Sequence, residues 1–172
     1  PGADDPGAPL TAPHRLAHDP VLSRNADDGD GDALALIAIA VLRLGDRDAA
    51  RARFETCASL PHPTGLHGLA ALAEADDADG SWRLMERALA QGAPAALTRI
   101  ARIAHLRHEH AFSDEVMLAA ARLGDADAMF DVAHRATERG DEALSRRWYE
   151  AAVARDAGGD WPIERGVGYC LL

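Results

Sequence analysis

The sequence predicts an all-α fold in which short helices pair and stack as a repeating array, and three observations point to it. Hydrophobic residues make up 48% of the chain but aromatic residues only 5%, and alanine supplies the largest share of the apolar count. Alanine lets helix axes approach one another, whereas a β-sandwich needs the β-branched and aromatic residues that are scarce here. Turn signals recur at short intervals, as at Gly45-Asp46, Asp76-Asp77 and Gly140-Asp141. In each Gly-Asp turn, Gly takes the left-handed conformation and Asp caps the next helix. This spacing leaves helices of about 11–15 residues. Finally, residues 29–58 overlay residues 124–153 without a gap: Gly29, Asp30, Ala38, Gly45, Asp46, Arg51 and Glu55 fall on Gly124, Asp125, Ala133, Gly140, Asp141, Arg146 and Glu150.

The elements follow in order. Residues 1–13, rich in Pro, Gly and Asp, read as a flexible leader. A short helix from Val21 to Asn25 is expected within an otherwise irregular segment that reaches residue 30. The offset between the two matching stretches holds three units of about 32 residues, so two more units lie between them. Successive units begin near Gly31, His62, Pro94 and Ala126, each with a helix A and a helix B. A half repeat closes the chain at 161–172, where Ile163, Val167, Cys170 and Leu171 form one apolar stripe. That stripe is expected to dock on the face containing Val153 and Tyr149. The repeat domain thus spans 31–172, after a leader of 1–30.

At this register the units resemble tetratricopeptide (TPR) repeats. In that family small residues sit at the eighth, twentieth and twenty-seventh positions and an aromatic at the twenty-fourth. The first unit holds Ala38, Ala50, Phe54 and Cys57 there, and the fourth Ala133, Ser145, Tyr149 and Ala152. The third holds Ala101, Ser113, Met117 and Ala120; the second holds Leu69, Ser81, Met85 and Ala88 and departs most. The "WYEAA" at 148–152 is also similar to Sel1-like repeats. The resemblance implies a right-handed α-α superhelix of about four helical hairpins plus the half repeat. It places Tyr149 in a packing role between its own helix and the next, with Trp148 partly exposed.

The resemblance also implies binding on a concave surface lined by the A helices. The positions that face it supply Ile39, Leu42, Leu66, Arg102, His105, Phe130 and His134, a groove apolar at one end and polar-aromatic at the other. Arg102, His105, Phe130 and His134 suit a peptide carrying an apolar anchor and a carboxylate. The expected function is protein or peptide binding, as an adaptor or the sensory part of a larger bacterial protein. No enzyme signature and no cofactor motif is read from the sequence.

Composition narrows the partners. A net charge of −10 repels nucleic acid at long range. No apolar run suggests a membrane span and no signal peptide opens the sequence, so a cytoplasmic location is expected. Two alternatives stand beside peptide binding. One is a metal-binding protein using His105, His108 and Glu109 of "HLRHEH", with His110 pointing elsewhere. The other is a structural spacer that self-associates. Asp27, Asp28, Asp30 and Asp32 read as a solvated, helix-capping run rather than a calcium loop, and Cys57 as an inert core residue.

Overall fold

The segment "ALIAIAVL" at 35–42 is apolar on every side of a helix, and such a helix belongs inside a core rather than on a surface. In the computed structural model, which describes residues 11–159, each of these eight side chains is buried. They belong to α3 (Gly31–Arg43), around which the other helices gather. Before it come α1 (Ala12–Ala17) and α2 (Pro20–Asp27). After it come α4 (Arg47–Ser59), α5 (Pro63–Ala73), α6 (Ala78–Ala90), α7 (Ala93–Leu106), α8 (His110–Arg122), α9 (Ala126–Glu138) and α10 (Glu142–Asp156). The described residues contain no strand, and none of their helices is long and apolar enough to cross a membrane.

From α3 to α10 the helices fall into four pairs that begin where the repeat analysis places them. The turn chemistry is also as expected. Gly45 takes φ 88° and Gly140 φ 77°, and the Asp46 and Asp141 side chains accept from the backbone N–H groups of Ala49 and Leu144. A side chain at either glycine would strain that left-handed backbone. The small and large slots of the repeat are buried throughout, except Leu69 and Tyr149.

The N-terminal segment differs from expectation. From Ala12 onward it is not a flexible leader: α1 and α2 pack on α3 and bury Leu16 and Leu22 almost completely. The second helix is longer than Val21–Asn25 because Pro20 opens it and the Asp19 side chain caps it through the N–H groups of Val21 and Leu22. The half repeat at 161–172 and residues 1–10 lie outside the described residues.

The first unit also reaches past its neighbour to the third. Units that touch only their neighbours are the mark of an open repeat stack. Here α3 touches α7, and α1 touches α8. Long-range ion pairs run along this contact. Asp32 at the start of α3 receives His62 Nε2 at 2.9 Å and the Arg99 guanidinium at 2.8 and 3.0 Å. Gly31 makes room for this, since a Cβ there would lie 2.6 Å from the His62 ring. Arg43 reaches Glu115 of α8 at 2.6 Å. Burial pushes the Asp32 carboxyl up, but the hydrogen bonds from His62 and Arg99 outweigh it and hold it below the usual range.

Candidate functional site

Burial decides which of the expected groove residues can meet a ligand. Ile39 is fully buried, and Leu42 and Leu66 are nearly so. All three are core residues, so the apolar end of the expected groove is occupied by the protein itself. The sequence carried a signal of this: an A helix apolar on every side has no solvent-facing stripe to offer.

The other end is open. Arg102 and His105 of α7 and His134 of α9 line one cavity of about 600 Å³, together with His110 and Asp114 of α8, Asp131, Arg135, Glu138 and Arg139. Leu106 and Met117 supply apolar surface.

Its charges are largely paired. Asp114 accepts from both Arg135 and Arg139, and Asp131 lies 2.7 Å from Arg135. Arg102 lies 3.8 Å from Asp127, and His134 lies 3.6 Å from Glu138. Asp131 is the electrostatic centre: burial raises its pKa above the usual carboxylate value, against the pull of Arg102, His105 and His134. Arg135 is shifted down, first by burial and then by its neighbour Arg139. A carboxylate entering here would meet Arg102, which is 59% exposed and lies 3.8 Å from Asp127, whereas Arg135 and Arg139 are both engaged by Asp114.

Phe130 does not line this cavity. It stands beside it with Tyr149 of α10, ring centroids 6.1 Å apart, and both rings are more than one-third exposed. This reverses the expected roles of the aromatic pair. Trp148 is buried in the core while Tyr149 faces outward. The buried stripe of α10 runs Ser145, Trp148, Ala152, where α4 runs Ala50, Phe54, Cys57. Spacings of three then four and of four then three both follow one helix face, so periodicity alone cannot choose between neighbours.

The expected metal trio is not assembled. Glu109 turns inward, 6% exposed, and receives Arg15 of α1 at 2.5 and 2.7 Å. His110, rather than His108, is the residue that meets His105. No group of three or more metal-ligating side chains occurs among the described residues. The acidic run is used for capping and pairing: Asp30 caps α3 through the N–H groups of Asp32 and Ala33. Cys57 is buried, and burial first, then Asp32, push its thiol up to about 12, so it is inert.

One ionisable residue escaped the sequence reading. His67 of α5 is completely buried, which pushes its pKa down to about 4. In the sequence it sits between Leu66 and Gly68 inside an apolar run, the one sign that it would be internal. No protein-family model, no curated protein and no solved structure matches this chain.

Proposed function

We propose that this chain is a protein- or peptide-binding module of TPR-like repeats whose recognition surface is the cavity between α7, α8 and α9. The observation that carries this reading is that Arg102, His105 and His134, the residues the resemblance to TPR repeats points to, line one open cavity. The exposed Phe130–Tyr149 pair beside it offers a platform for an apolar side chain. The occupant is a peptide whose carboxylate meets Arg102 and whose apolar residue rests on that pair. The apolar half of the groove takes no part, since Ile39, Leu42 and Leu66 are buried. The net charge of −10 disfavours a nucleic-acid partner.

Selection from a random peptide library with free C-termini tests this. Enriched peptides should end in, or carry, a carboxylate next to an apolar residue. Arg102→Glu should weaken them by about tenfold or more, the scale of one charge-assisted hydrogen bond. Peptides that bind Arg102→Glu as tightly as the native chain would place the surface elsewhere. A solution mass that rises with concentration while no peptide is enriched would favour the self-associating spacer.

A further inference from the structure

We propose that His105 and His110 together form a binding site for a divalent transition metal such as Zn²⁺, with two imidazole ligands and water in the remaining positions. The proposal does not depend on peptide binding. It rests first on a distance: the two Nδ1 atoms lie 3.2 Å apart. A zinc ion bonded to two imidazole nitrogens at about 2.0–2.1 Å would span that separation with an N–Zn–N angle of about 100°, close to tetrahedral. The rings are inclined at 64° with centroids 4.6 Å apart. Both residues are exposed, so a hydrated ion can reach them and complete its shell with water.

The second support is the rigidity of the turn that carries the pair. His105 lies in the last turn of α7 and His110 opens α8. Between them, His108 takes the left-handed conformation at φ 61°, and its N–H donates to the His105 carbonyl at 2.9 Å. The Glu109 N–H donates to the Ala104 carbonyl at 3.1 Å. Arg15 of α1 holds the Glu109 side chain inward, and Arg107 donates to Asp19 at 3.1 Å. The N-terminal helices therefore lock the turn, and little chain entropy is left to lose when a metal joins the two rings.

Asp131 lies close enough to feel the charge of His105, and the Asp131, Asp114 and Glu138 carboxylates of the same cavity offset the Arg102, Arg135 and Arg139 guanidiniums there. An exposed hydrogen bond between two imidazoles competes with water and contributes little by itself. A metal–nitrogen bond at the same two atoms is far stronger.

The test is calorimetric titration of the tag-free chain with Zn²⁺ near neutral pH, with imidazole carbon-bound proton resonances followed by NMR. Saturable binding of one ion per chain is expected, with the resonances of His105 and His110 shifting. His105→Ala and His110→Ala should each abolish it, and His108→Asn, which tolerates the left-handed backbone at this position, should leave it unchanged. All three substitutions are at exposed positions, and an unaltered circular dichroism spectrum confirms that the variants fold. Absence of saturable binding by the native chain, or binding that survives both alanine substitutions, overturns the proposal.

Discussion

Phe54 and Tyr149 occupy the same slot of the repeat, yet Phe54 is fully buried and Tyr149 is 37% exposed. The difference lies in what each helix meets. Phe54 on α4 inserts into a notch on α5 made by Gly68, where a Cβ would lie 2.3 Å from the Phe54 ring. Gly65 brings the two helices still closer, since a Cβ there would lie 2.3 Å from the Ala58 backbone nitrogen. For Tyr149 no described helix follows α10, and Trp148 takes the inward position instead. An aromatic at a given repeat position therefore marks a helix face, and the neighbouring helix decides whether that face is core.

The largest test of this contrast is truncation of the inward rings. Phe54→Ala and Trp148→Ala should each destabilise the protein by about 3–5 kcal/mol, the range for large core aromatics, in chemical denaturation. A loss at Trp148 much smaller than at Phe54 would return Trp148 to the surface. The notch comes next. Gly68→Ala should cost about 1–3 kcal/mol by overpacking, and Phe54→Leu in the same chain should relieve part of it. Additive costs in that double-mutant cycle would mean that the notch does not accommodate the ring.

Acid should separate the same two regions. The neutral, buried His67 sits in α5 beside the notch, with its pKa pushed down from 6.5 to about 4. A depressed folded pKa means that its contribution is complete above pH 6.5 and is lost as pH falls from 6.5 through 4. The slope in that window approaches about 1.4 kcal/mol per pH unit. Hydrogen exchange should therefore loosen α4 and α5 before α9 and α10, and His67→Gln should flatten the dependence. The smallest effect belongs to the outward ring: Tyr149→Ala should change stability by less than about 1 kcal/mol, as surface substitutions do. A cost comparable to Phe54→Ala would show that Tyr149 is packed after all.

Much of the candidate site was legible and part was not. Arg102, His105 and His134 follow from the resemblance to TPR repeats, whose groove-facing positions fall on them. Ile39, Leu42 and Leu66 were assigned to the same surface by the same rule, and the fold buries them. The sequence places this stretch at a helix end before a turn and points His110 away from His105; the start of the second helix instead brings His110 back to it. Glu109 was read as a surface ligand because its partner Arg15 lies 94 residues away in sequence.

By itself the sequence determined what is local: helix type, helix length, the Gly-Asp turns and the period of the repeat. Each of these rests on backbone geometry and capping within a few residues, and α3 to α10 run 11 to 15 residues as the turn spacing requires. Only the tertiary structure decided that α3 meets α7, that the N-terminal helices brace the α7–α8 turn, and that Trp148 rather than Tyr149 turns inward. These outcomes depend on contacts between residues distant in the chain. Periodicity specifies which residues share a face but not which face another helix will cover.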